Sequence, residues 1–134
     1  MKSQHLALAI IVCLLVAGCQ TQQLPRHKAL AEPMLAHSVY FTLKDGSDAA
    51  RQKLTDSCYK YLRDHPGVVF FAAGPLAEEF NRAVNVRNFD VGLHIVFKTR
   101  KSHDEYQVSE NHLLFIKENK DSLKRVRVYD TFVR

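Results

Sequence analysis

Two residues suited to proton chemistry stand close together in YQVSENHLLF, from Tyr106 to Phe115. A phenol donates a hydrogen bond, and an imidazole titrates near neutrality. Tyr106 and His112 are six positions apart. On one straight helix that spacing leaves the two side chains about 120° apart, so a shared site requires a break. The sequence supplies one. Ser102-His103-Asp104-Glu105 has the capping-box form, with Ser102 at N-cap and Glu105 at N3. Ser109 is a second N-cap type, followed by Glu110. Two start signals predict two short, angled helices, with Tyr106 near the end of the first and His112 at the third position of the second.

Other reactive residues offer less. Of the three cysteines, Cys13 and Cys19 precede the predicted domain, so Cys58 cannot form a disulfide within it. Cys58 falls on a helical apolar stripe and reads as a small buried hydrophobe. His65 and His103 fall at predicted helix ends and read as exposed. No His/Cys/Asp spacing makes a convincing metal centre, His37 with His112 being the one pair to watch, and no cofactor is implied. There is no Gly-rich phosphate loop, G-x-S-x-G or Walker pattern.

The elements that must position these residues follow from periodicity. His37, Val39, Phe41 and Leu43 alternate with Ser38, Tyr40, Thr42 and Lys44, which predicts a strand. Asp45-Gly46 turns the chain, and Ser47 caps a helix carrying Ala50, Leu54, Cys58, Tyr61 and Leu62 on one side. His65-Pro66-Gly67 stops it. VVFFAAG reads as a second strand, and residues 76–88 as a loop with at most a short helical turn. Phe89 to Phe97 alternates as a third strand. The second of the two short helices runs to about Lys120. RVRVYDTFV is a fourth strand with Val126, Val128, Asp130 and Phe132 on one side. The order β-α-β-β-α-β predicts an α+β, ferredoxin-like sandwich with helices on one sheet face. The other face carries Tyr40, Thr42, His94, Val96, Arg127 and Tyr129. It is too aromatic for plain solvent surface and too polar for a core. A second copy covering it, sheet on sheet, predicts a homodimer forming an α/β barrel.

The N-terminus is built differently. Lys2 precedes the apolar run LALAIIVCLLVAG, which ends at Val16-Ala17-Gly18-Cys19. Residues 1–18 read as a signal peptide, and this ending resembles a bacterial lipobox. Cys19 is then the lipidation site, and acyl chains on it would hold the protein to a membrane of the bacterial envelope. Residues 19–35 read as a tether, on the order of 20 Å long on average if flexible. The domain is placed at 36–134. The formal charge is +5, but Lys2, Arg26 and Lys28 lie outside that domain. The remaining basic excess is modest and forms no stripe interleaved with aromatics, which argues against nucleic-acid binding.

From His37 to Phe132 the chain resembles the stress-responsive α/β-barrel (Dabb) family. The resemblance is carried by HSVYFTLKDG, HPGV, FDVGLHIVFKTRKSHDEYQVSENH and VYDTF, in that order. It implies a ferredoxin-like subunit paired into a dimeric barrel. The olivetolic acid cyclase-like members, to which it is similar, use a first-strand histidine, a Tyr-x5-His pair and a last-strand aspartate in an aldol closure. The matching positions are His37, Tyr106, His112 and Asp130. The resemblance implies His112 as general base, Asp130 as its orienting partner, Tyr106 as donor to a developing oxyanion and His37 as a supporting polar group. The family's usual proline before the last helix is absent; Ser109-Glu110-Asn111 stands there. Two readings stay open: a non-catalytic module that binds a small apolar or aromatic ligand or holds these four groups as a buried network, and a small cyclase- or lyase-type enzyme.

Overall fold

A computed structural model describes residues 32–134. The segments predicted as signal peptide and, but for its end, as tether, with Cys19, lie outside the described residues. β1 (Met34–Leu43) begins inside the segment assigned to the tether, because Leu35 already takes a core-facing position in the alternation. α1 (Asp48–Leu62) starts at Ser47, whose side chain accepts from the Ala50 N–H. Its Leu54, Cys58 and Leu62, spaced four apart, are all buried. At roughly 1.5–3 kcal/mol for each large apolar side chain, this stripe fixes the helix on the sheet. Burial pushes the Cys58 thiol up to about 12, which suits an inert core group.

β2 (Val68–Pro75) follows a turn in which Gly67 adopts φ +86°. β3 (Val91–Phe97) is shorter than its alternation predicts. Phe89 leaves the core-facing series and packs on the opposite face against Tyr40, at 4.8 Å between ring centroids. Asp90 is the cause. Its backbone N–H bonds to Phe41 O, and its carboxylate accepts from Leu43 N and the Arg51 guanidinium. It ties the end of β1 to α1 and takes its own segment out of register with the alternation.

α2 (Arg100–Gln107) corrects the capping assignment. Thr99, not Ser102, is the N-cap, and Ser102 donates its backbone N–H to the Thr99 hydroxyl. α3 (Glu110–Asn119) begins at Ser109 as expected, with Glu110 in its first turn. A 3-10 turn (Lys120–Ser122) leads into β4 (Leu123–Val133). Residues 76–90 form a loop with no regular helix. Among the described residues no helix is long and apolar enough to cross a membrane.

The sheet order is β2-β3-β1-β4, with every neighbouring pair antiparallel. This is the expected ferredoxin-like α+β fold. α1 packs on β2 and β3, α2 on β1 and β3, and α3 on α1. β4 lies at the sheet edge beyond them. Its helix-side residues therefore stay half open, Val126 at 44% and Val128 at 49% exposure. The expectation that this whole strand face meets the helices is corrected accordingly. On the opposite face, His94 bonds to the Ser38 hydroxyl, and Tyr40 packs edge-on to His94 and Tyr129.

Candidate functional site

The joint between α2 and α3 turns on one hydroxyl. Ser109 Oγ donates to Tyr106 O at 2.8 Å and accepts from His112 N at 3.3 Å. It thus occupies a spare carbonyl at the end of α2 and a spare N–H at the start of α3. The helix breaks there, and Tyr106 and His112 converge, with ring centroids 4.6 Å apart and planes tilted by 45°.

His112 Nδ1 lies 2.9 Å from Gln107 O. A carbonyl only accepts, so Nδ1 carries the proton and Nε2 is the basic nitrogen of the neutral ring. Burial lowers the His112 pKa, and the Gln107 carbonyl partly opposes this. The ring is therefore neutral and base-competent at neutral pH. Tyr106 is only 1% exposed, and burial raises its pKa, so the phenol stays a donor. No described residue hydrogen-bonds its hydroxyl.

Asp130 is placed differently from its expected role. Strand pairing sets it directly opposite His37, and Asp130 Oδ1 stands 2.7 Å from His37 Nδ1. The carboxylate supports His37, while a main-chain carbonyl supports His112. Burial lowers the His37 pKa and outweighs the raising effect of Asp130. The contact is therefore a hydrogen bond from a neutral imidazole to a carboxylate that is 46% exposed, rather than an ion pair.

His37, Tyr106, His112 and Asp130 all line one cavity of about 570 Å³, with Leu93, Phe115 and Val128 among its apolar walls. That volume suits a small organic ligand. The open side is the seam between α3 and β4, where the edge strand is left uncovered.

Two further histidines belong to this neighbourhood, and neither is the exposed helix-end residue expected. With Thr99 as N-cap, His103 falls one turn inside α2, three residues before Tyr106 and on the same side. Its ring packs 5.1 Å from His37 and 5.4 Å from Phe97. His65 stands edge-on to Tyr106 at 5.5 Å, with a buried Nδ1 that has no partner among the described residues. The signal for His65 was the HPG turn, which holds it against the start of α2. The signal for His103 was its i,i+3 relation to Tyr106. One ligand atom each from His37, His103 and Asp130 lies within 4.8 Å of the others. This cluster replaces His37 with His112 as the pair or group to watch for a metal.

Comparison with known proteins bears on the family and the fold. Residues 35–133 match the model of the stress responsive A/B barrel domain, Dabb. Among curated proteins none matches the chain. A Dabb family protein with a ferredoxin-like fold from Mesorhizobium loti superposes with a TM-score of 0.63 at 18% identity, covering 77% of this chain and 99% of that one. A dimeric ferredoxin-like protein of unknown function from Thermobifida fusca gives 0.62 at 13% identity, with 76% and 92% covered. The hydroxynitrile lyase of Passiflora edulis gives 0.61 at 16% identity, with 78% and 95% covered. At these identities the likeness to each structure concerns the fold.

Proposed function

We propose a function from one premise: the chain belongs to the stress responsive A/B barrel domain family. In our reading it binds a small apolar or aromatic molecule in the cavity between α3 and the β1–β4 half of the sheet. The observation that carries this reading is convergence. His37, Tyr106, His112 and Asp130 come from β1, α2, α3 and β4 and meet on one ligand-sized cavity. A buried network serving only the fold would pair its members with one another. Here His37 pairs with Asp130, but among the described residues nothing hydrogen-bonds the Tyr106 hydroxyl or His112 Nε2.

The same two groups support a second reading, a proton-transfer enzyme of cyclase or lyase type. A neutral imidazole can accept a proton while a buried phenol donates to the oxyanion that develops. A hydroxynitrile lyase has the same fold, which supports this second reading. We further propose that the subunit works as a homodimer, a second copy covering the face with Tyr40, His94 and Tyr129. Proteins of the same fold described as dimeric support this. We place the dimer at the bacterial envelope, anchored through lipid on Cys19.

The test is a thermal-shift screen of the full chain in mild detergent against small alkyl and aryl carbonyl compounds and phenols, repeated with His112→Ala and Tyr106→Phe. Binding predicts a rise in Tm with at least one compound, reduced in both variants. Consumption of that compound, lost in both variants, would select the enzyme reading. A rise equal in wild type and both variants would remove the site from either reading.

A further inference from the structure

The group formed by His37, His103 and Asp130 has a chemistry that the cavity reading does not use. The donors come from β1, α2 and β4, so the fold gathers them rather than the local sequence. One ligand atom from each lies within 4.8 Å of the other two, and the closest pair, His37 Nδ1 and Asp130 Oδ1, is 2.7 Å apart. Around a tetrahedral ion with bonds of about 2.0–2.2 Å, ligand atoms stand roughly 3.3 Å from one another. The His37–Asp130 pair would part by roughly 0.6 Å, and His103 would close by up to about 1.5 Å, a side-chain rotation rather than a backbone shift. His103 and Asp130 are partly exposed, which allows such adjustment.

Hydrogen bonds also orient the donors. His37 Nδ1–H is donated to Asp130, so ligation through Nδ1 would move that proton to Nε2. His103 Nδ1 stands 3.3 Å from Asp104 Oδ1, and its Nε2 stands 2.9 Å from the Gln107 amide nitrogen. A proton on Nδ1, donated to Asp104, leaves the Nε2 lone pair accepting from Gln107, a partner the ion would displace. A carboxylate holding the far N–H of an imidazole is the usual outer support of a metal-bound histidine. The donor set, two imidazoles and one carboxylate, suits a divalent first-row transition ion of the zinc class. It does not suit Ca²⁺ or Mg²⁺, which require mainly oxygen.

From this we infer that His37, His103 and Asp130 form a binding site for one such ion. Three protein ligands leave at least one coordination position open. Because His37 and Asp130 also line the cavity, the ion would sit at its rim. The inference does not depend on the cavity's ligand, since it concerns the metal alone.

The experiment uses the full chain in mild detergent, stripped with a chelator. Zn(II) is titrated against a chromophoric competitor, and Co(II) is added separately to read its visible d–d absorption. The wild type is compared with His103→Gln, Asp130→Asn and, as a control on the opposite sheet face, His94→Gln. Loss of even an outer-shell partner of a metal typically costs about 10–100-fold in affinity. Each of His103→Gln and Asp130→Asn should therefore weaken Zn(II) by about tenfold or more and change the Co(II) spectrum. His94→Gln should match the wild type. Gln is close to His in volume and helix propensity, so His103→Gln should keep the wild-type circular dichroism although the ring packs on His37 and Phe97. The inference is overturned if the wild type binds no equivalent of Zn(II). It is also overturned if either His103→Gln or Asp130→Asn binds as the wild type does, since the ion would then lie elsewhere, for instance on the N-terminal cysteines.

Discussion

Replacing His112 by alanine and Tyr106 by phenylalanine tests whether the α2–α3 corner is a pocket or a structural network. His112→Ala removes one neutral hydrogen bond, Nδ1–H to Gln107 O, with a net worth of about 1 kcal/mol. It also removes ring contact with Tyr106, worth about 0.5–1 kcal/mol by analogy with aromatic pairs. The penalty for an orphaned Gln107 carbonyl is not added, because the vacated space joins a cavity large enough for water to reach it. The expected cost is about 1–2 kcal/mol. Tyr106→Phe removes a hydroxyl that no described residue bonds, and should cost less than about 1 kcal/mol.

The ring itself is another matter. Tyr106 is buried against Phe97, His37 and His65, so Tyr106→Ala should cost about 3–5 kcal/mol. Urea unfolding followed by circular dichroism gives all three values, and each kcal/mol should appear as a Tm change of about 4–8 °C for a domain of this size. The expected order is Tyr106→Phe, then His112→Ala, then Tyr106→Ala. A cost above about 2 kcal/mol for Tyr106→Phe would refute the reasoning, because the hydroxyl would then be satisfying a buried partner and the corner would be a network that specifies the fold.

Gly67→Ala should destabilise by about 2–4 kcal/mol, measured in the same urea experiment: φ is +86°, and an added Cβ would lie 2.4 Å from Ser102 Oγ and 2.5 Å from Ser102 Cβ. The folded His112 pKa lies below its ordinary value, so as pH falls the unfolded chain takes up this proton first. Its contribution is therefore fully present above about pH 6.5 and declines as pH falls toward the folded value, and the urea midpoint of His112→Ala should fall less steeply there. His94→Glu should shift the sedimenting species from dimer toward monomer by placing a carboxylate among Ser38, Tyr40 and the facing copy; an unchanged dimer would move the interface away from this face. Cys19→Ser should abolish labelling by palmitate and leave the precursor uncleaved or the protein released from the membrane fraction; unchanged labelling would remove the anchor.

Much of this fold was legible because the strands are written in period two. His37, Val39, Phe41 and Leu43 occupy one face in the sequence and the same face in the sheet. Ser109 was legible as a joint because a cap type followed by Glu110 has one physical use. The start of α2 was not, because Thr99 and Ser102 are both cap types three residues apart. The choice is made outside the helix. Gly67 O accepts from Lys98 N, and the Gly67 backbone passes so close to Ser102 that even a Cβ would collide. Thr99 is left to start the helix, and the shift of one turn moves His103 inward beside His37. The partner of Asp130 was equally hidden. Periodicity gives the face a residue takes, whereas its neighbour on the next strand depends on register. Only the pairing of His37 with Asp130 across β1 and β4 decides which imidazole receives the carboxylate.

That division shapes the chemistry. His37 and His112 sit on the same cavity, and burial lowers both. They differ in what holds Nδ1. A carboxylate stabilises the imidazolium that forms when a ring accepts a proton, and a neutral carbonyl does so less. His37 is thus the better-supported base, yet it is also the one nearest His103 and most deeply packed. His112 has the weaker support and the closer phenol, with Tyr106 4.6 Å away between ring centroids. A proton moved at this site would therefore travel along the His112–Tyr106 wall, while the His37–Asp130 wall keeps a fixed orientation or holds a cation. The two walls come from two different structural devices, a broken helix and a strand register. Ser109→Ala removes the hydroxyl that joins α2 to α3 and leaves the β1–β4 register untouched. It should therefore loosen His112 without releasing Asp130 from His37.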